Sequence, residues 1–440
     1  MKTETNERRA VRALVCAVAG ILFLVPFHAF LTSWAANNFG HLDAFRIWKE
    51  IVLVLISPIA FWVAWRDKNI RFFLKSSMFI RLFVFYVFLH LALGAWALHQ
   101  HEVTKTALVY SLIINLRFFG FFIIAYVAAA YSVWLRENAV KILMLPAVTV
   151  VTIGLLQKIT LSHNLLGYFY GPGTIPPYQT VDGNGGLKRV QSTMRGANPL
   201  GAYLILAIPA FVAFLRGWLI RTICLLAALI VLFYSYSRSA WIGVIISLWL
   251  LAWWMLLKSH HRVWLVSSVI ALVFLGSGSF YFLRSKPIAQ DTLLHTSSVS
   301  KSPMSSNQVR LASLKSGLQD VVHQPFGRGP GTAGPASFRN KPHPTRIAEN
   351  YYLQLGQEVG VIGMLLFIAM NVVVVRDLWF KRGEILAKVL LASFAGITFV
   401  NLISHAWTDD TLAYVWWGLA GIALAPALIS RTHKPAAKRS

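Results

Sequence analysis

The predicted fold class is an all-α integral membrane protein of about twelve transmembrane helices, and three observations predict it. Hydrophobic residues make up 57% of the 440 and charged residues only 13%, a balance unlike that of water-soluble domains. Apolar runs close to the roughly 20 residues that a helix needs to cross a bilayer recur along the chain. Short basic segments separate them, and the mean hydropathy is +0.60.

The predicted spans are 11–31, 50–66, 79–98, 107–133, 140–157, 198–215, 217–235, 239–257, 263–283, 353–375, 387–405 and 411–430. The first follows Arg8 and Arg9, lacks a small-residue cleavage site and is followed by further spans, so it reads as a retained helix and not a signal peptide. Cys16 and Cys224 both fall within spans, so no disulfide framework is implied.

Lysine and arginine counts give the orientation. With the N-terminus in the cytoplasm, the cytoplasmic segments hold 22 of the 41 basic residues, and both termini face that side. Arg81 and Arg117 lie inside spans, and the remaining 17 fall outside, mainly in two long extracytoplasmic loops, 158–197 and 284–352. The net charge of +25 is therefore largely topological and does not indicate nucleic acid. The organisation predicted is an N-terminal set of helices over 1–157, a region over 158–430 that contains both loops, and a basic cytoplasmic tail over 431–440.

The outer loops carry Lys188, Arg189, Arg195, Arg310, Arg328, Arg339, Lys341 and Arg346. So many guanidinium groups on the non-cytoplasmic side point to an anion handled there, a phosphate above all. Within the second loop, Leu311, Leu314, Leu318, Val321 and Val322 recur at helical spacing, which predicts an amphipathic helix from Asn307 to His323. Arg310 and Lys315 would lie on its polar side. The run Gly327-Arg328-Gly329-Pro330-Gly331-Thr332 lacks the Gly-Lys-Ser/Thr ending of a P-loop and reads as a tight turn, with Arg328 a secondary anion candidate.

Four motifs in order resemble the O-antigen ligase and polymerase superfamily of membrane glycosyltransferases. They are Arg189 to Arg195 followed by Asn198-Pro199, Ser235-Tyr236-Ser237-Arg238 with Trp241, Arg310 followed by Pro325-Phe326-Gly327-Arg328-Gly329, and Glu349-Asn350-Tyr351-Tyr352-Leu353-Gln354 with Glu358, Gly360 and Gly363. The resemblance covers roughly 185–405. It departs from the family at one place: ligases put a histidine directly before the asparagine, where this chain has Glu349, and the nearest preceding histidine is His343.

The resemblance implies an enzyme of the bacterial cytoplasmic (inner) membrane that takes a glycan from an undecaprenyl-pyrophosphate carrier. The glycan passes to an acceptor hydroxyl on lipid A core or a similar acceptor, as in lipopolysaccharide biosynthesis. No cofactor is implied, and without an Asp-x-Asp motif a metal-independent, inverting transfer is expected. His405, Asp409 and Asp410 are too few for a metal site. By the same resemblance Arg189, Arg238, Arg310 and Arg195 would bind pyrophosphate, since a planar guanidinium meets phosphate bidentately and stays charged. Glu349 would be the base, with His343 in reserve.

Each assignment has a structural competitor. Arg189 and Arg195 can be solvated loop charges, Arg238 can snorkel at a helix end, and Arg310 can simply cover a surface helix. Glu349 suits a helix start in any case. Asn350 and Gln354 serve equally as polar glue between helices or as sugar contacts. Arg117, near the middle of a span, needs a cavity or a partner, so structural pairing and a polyprenyl-phosphate contact both remain open. Aromatics including Trp253, Trp254, Trp416 and Trp417 read as interfacial anchors or lipid-facing bulk. Two further functions stay in play, a polymerase of the same superfamily and a secondary transporter of similar span number.

Overall fold

The computed structural model describes residues 2–165, 179–181, 184–255, 306–341, 343–426 and 428. The predicted span 263–283, the start of the second long loop and the tail over 431–440 lie outside the described residues. Every other predicted span coincides with a helix. In chain order these are α1 (Lys2–Leu24), α2 (His28–Phe39), α3 (Leu42–Arg46), α4 (Trp48–Arg66), α5 (Lys68–Ser76), α6 (Met78–His99), α7 (Lys105–Ala130) and α8 (Val133–Ile159). A small antiparallel hairpin follows, β1 (Thr180–Val181) and β2 (Asn184–Lys188). Then come α9 (Ala197–Phe214), α10 (Trp218–Tyr234), α11 (Arg238–Met255), α12 (Ser306–His323), α13 (Tyr351–Phe380), α14 (Ile385–Asn401) and α15 (Asp410–Leu424).

Among the described residues, eight segments are long and apolar enough to cross a membrane, with α10 and α14 shorter apolar helices. The protein is an all-α membrane protein. The helices alternate in direction, so α7, α9, α11, α13 and α15 all begin at one end of the bundle, where α8, α10 and α14 finish.

The core forms where backbones approach most closely. A side chain at Gly421 would meet the Phe122 carbonyl and one at Gly418 the Phe121 ring, which lets α15 lie directly on α7. Gly243 and Gly396 do the same for α11 against α14. Small residues at helix contacts gain dispersion energy, the main attraction left where lipid is as apolar as leucine. This packing corrects one expectation: Trp416 and Trp417 are 0% exposed and pack, tilted or edge-on, among Trp407, Phe118 and Phe119. The glycines one and four positions beyond Trp417 draw α7 over that face. The indole of Trp416 donates to the Leu390 carbonyl and the Ser393 hydroxyl, both at 3.2 Å.

Helix α12 falls where the periodicity places it, but its apolar residues divide. Val321 packs on Gly356, and Gly317 sits against Ala348 and Leu353, whereas Leu311 is 70% exposed and Leu318 and Val322 point away from the bundle too. The helix therefore meets α13 along a narrow seam, and Arg310 is half-buried.

Candidate active site

Helix α13 is broken at Val359 (φ −119°, ψ 15°) and Gly360 (φ 70°, ψ −177°). The break frees carbonyls and an amide that a continuous helix would pair internally, and the 325–331 segment takes them up. The amides of Arg328 and Gly329 donate to the Gln357 and Glu358 carbonyls at 3.0 and 2.8 Å, and the Val361 amide donates to Pro325 at 2.8 Å. Gly327 also has positive φ, and a side chain there would collide with Gly360. The buried Glu358 carboxylate closes the joint, accepting from Ser111 Oγ (2.9 Å), Asn115 Nδ2 (2.8 Å) and the Gly331 amide (2.7 Å). Arg328, expected as an anion contact, reaches Gln324 Oε1 and Asp320, the latter at 3.3 Å. Asp320 in turn accepts from Gln357 at 2.8 Å.

The start of α13 is equally constrained. Asn350 caps it by accepting from the Leu353 amide at 2.9 Å, while its own amide group donates to Leu402 O at 2.8 Å. The Tyr351 amide donates to Ser404 O at 3.1 Å. These bonds lay the 402–405 segment alongside residues 350–351 and bring His405 to Glu349. Glu349 has φ 46°, in the left-handed region that non-glycine residues rarely adopt. Arg195, exposed, and Arg310, from α12, are the other charges acting on His405. Burial, Arg195 and Arg310 hold this imidazole below its ordinary pKa, while Glu349 opposes them. Asp409 caps α15 through the Thr411 and Leu412 amides at 3.1 and 3.3 Å. Burial raises its carboxyl and the nearby Arg195 lowers it. Among the described residues, Arg195, Arg310 and Glu349 make no side-chain hydrogen bond or salt bridge.

A second arginine corner adjoins the start of α9. Arg189 donates from Nε to Ser235 O at 2.8 Å and from Nη2 to Asn198 Oδ1 at 2.6 Å. Arg238, half-buried, begins α11 three residues beyond Ser235. Arg189 therefore joins the first two arginine motifs into one structure.

Residues 223–368 match the family model described as O-antigen ligase. This segment is similar to O-antigen ligases. It runs from α10 through Ser235 and Arg238, α12 and the 325–331 strap to beyond the break in α13, about a third of the chain, and leaves out Arg189 and Asn198. The match bears out the resemblance read from the motifs and supports a membrane enzyme of O-antigen ligase or polymerase type. No curated protein matches the chain.

Three residues singled out in the sequence are engaged in other contacts. Arg117 is paired: its guanidinium meets Glu50 Oε1 at 2.7 Å, the Asp410 carboxylate and the Thr408 carbonyl at 3.2 Å. Lys49, 1% exposed, completes the cluster at 3.1 Å from Glu50 and 2.8 Å from Asp410. His28 lies 3.4 Å from Asp410 and accepts from Trp48 Nε1 at 3.0 Å. Two cations and two anions thus neutralise one another in the core, the arrangement that makes buried charge tolerable. His343 lies 3.7 Å from Glu102 in the α6–α7 turn. Gln354 is buried under Gly334. Among the described residues no group of three or more His, Cys, Asp or Glu is placed to hold a metal ion.

The residue that sequence reading did not select for the site is His405. It stood only as one member of an insufficient metal set. Its signal is spatial, since nothing in the spacing announces that Asn350 bonds to Leu402.

Proposed function

We propose that this protein transfers a glycan from a polyprenyl-pyrophosphate carrier to an acceptor hydroxyl, at the extracytoplasmic face of the bacterial cytoplasmic membrane, with lipid A core or a similar glycolipid as acceptor. The observation that carries this reading is the convergence of Arg195 and Arg310, neither hydrogen-bonded through its side chain among the described residues, on Glu349 and His405 at the end of the bundle that holds the arginine loops. The lysine and arginine counts support the assignment of that end to the outer side.

The chemistry asks little else of the protein. The pyrophosphate is already an activated leaving group, so neither nucleotide nor metal is required to drive transfer. The arginines neutralise the charge that grows as the glycosyl–oxygen bond breaks, and such preorganised stabilisation is commonly the largest catalytic contribution. Arg189 and Arg238 extend the anion surface along the first loop, and Glu349 with His405 receives the acceptor proton. Displacement from the face opposite the pyrophosphate inverts the anomeric centre.

The test is purified protein supplied with undecaprenyl-pyrophosphate oligosaccharide and a lipid A core acceptor, without nucleotide or added metal. One acceptor-dependent addition, lost in Arg189→Ala, is expected. An acceptor-independent ladder of products would make the protein a polymerase. Absence of any transfer by folded protein, together with vectorial uptake of a labelled solute into proteoliposomes, would overturn the reading in favour of transport.

A further inference from the structure

Resting on the proposed glycosyl transfer, we infer that His405 is the proton acceptor and that Glu349, at the position where the family carries histidine, is its positioning residue. Glu349 immediately precedes the cap of α13. An imidazole, with an ordinary pKa about two units above that of a carboxylate, is the stronger acceptor.

The geometry supplies such an imidazole. Asn350 and Tyr351 are bonded to Leu402 and Ser404, so His405 follows directly from the segment laid against Glu349. The His405 carbonyl accepts from the Thr408 amide at 3.1 Å and the Thr408 hydroxyl at 2.7 Å, which fixes its backbone. Among the described residues neither ring nitrogen is hydrogen-bonded, so the lone pair is available to substrate. The packed elements contribute their charges: Arg195 before α9, Arg310 on α12 and Glu349 before α13, while Asp409 caps α15 four residues further on. The Lys49–Glu50–Arg117–Asp410 cluster, with His28, underlies them. Burial and the two arginines hold the imidazole below its ordinary pKa, with Glu349 opposing them, and so favour the neutral form that accepts a proton.

The step balances. The acceptor oxygen forms a bond to the anomeric carbon as the bond from that carbon to the pyrophosphate oxygen breaks. The electron pair leaves with the pyrophosphate, which Arg195 and Arg310 neutralise. The hydroxyl proton passes to His405, and Glu349 stabilises the imidazolium that results.

The experiment is the pH dependence of kcat/KM in the wild type, His405→Gln, Glu349→Gln and Arg310→Gln, with donor binding and melting temperature measured for each. His405→Gln should bind donor normally and lose at least about a hundredfold in rate. Glu349→Gln should retain part of the activity while the acid limb moves to lower pH, since removing a neighbouring carboxylate makes the imidazolium less stable. Arg310→Gln should move the limb to higher pH, each by roughly one unit. These opposed shifts read an intact His405 and carry the test even if His405→Gln does not fold. A limb that persists in folded His405→Gln but disappears in Glu349→Gln would make Glu349 the base and overturn the inference. Limbs unmoved by both neighbours would overturn it as well. A wild type that transfers no glycan would instead bring down the transferase reading itself.

Discussion

The side-chain amide of Asn350 donates to the Leu402 carbonyl at 2.8 Å, and through this bond the cap of one helix is fastened to the loop that carries His405. The same side chain accepts from the Leu353 amide, so one residue both starts α13 and ties that start to the segment leading into His405. Asn350→Ala is expected to cost about 1–2 kcal/mol of stability, the range for a lost cap. It should lower kcat by about tenfold or more while leaving donor affinity near wild type. Thermal unfolding in detergent with steady-state kinetics checks both; an unchanged kcat would show that the tie is not used in catalysis.

Arg117 is bound into the core, and its substitution should read as a folding defect. Arg117→Met leaves Glu50 and Asp410 with Lys49 alone, and removing one partner of a buried pair costs about 3–5 kcal/mol. Melting temperature and membrane yield should fall sharply, while the fraction that folds should bind donor as the wild type does. Normal stability with lost donor binding would instead place Arg117 on the substrate.

At the break in α13, a methyl on Gly360 collides with the Pro325 carbonyl and approaches Phe326, and its positive φ disfavours any side chain. The obstacle is backbone on both sides, so no rotamer relieves it. Gly360→Ala should therefore destabilise by about 1–3 kcal/mol. Gly120→Ala, in α7 with nothing within 4 Å, should be neutral or stabilising by up to about 1 kcal/mol. Equal melting temperatures for the two variants would contradict the interlock.

Arg195 and Arg328 provide a contrast within one assay. Arg195 makes no side-chain hydrogen bond or salt bridge among the described residues, so Arg195→Ala should melt as the wild type does and lose donor affinity by about tenfold or more. Arg328 is engaged with Gln324 and Asp320, so Arg328→Ala should loosen the strap, lower the melting temperature and leave donor affinity largely intact. Isothermal binding of the lipid-linked donor together with thermal unfolding separates the cases; the reverse pattern would exchange their roles.

Much of this architecture could be read directly from the chain. Spans such as 50–66 and 79–98 match α4 and α6 to within a few residues, because the length of an apolar run is a local property that the bilayer selects. The helix over Asn307 to His323 was visible in its periodicity. Its orientation was not, since a 3.6-residue repeat says which residues share a face and nothing about what that face meets. Trp416 and Trp417 illustrate the same gap: an indole in a span suits lipid or core, and only the glycines that draw α7 inward decide between them.

By itself the sequence determined the membrane class, the helices, the placement of the arginine motifs and the resemblance that the O-antigen ligase match bears out. Only the tertiary structure decided that Arg117 is paired, through Glu50 67 residues earlier and Asp410 293 residues later. It alone brought His405 to Glu349 and interlocked Gly327 with Gly360. The reason is physical: hydrophobic run length and helical period repeat within a few residues and leave a local imprint. A hydrogen bond or ion pair between distant segments depends on where whole helices pack, and no spacing in the chain records it.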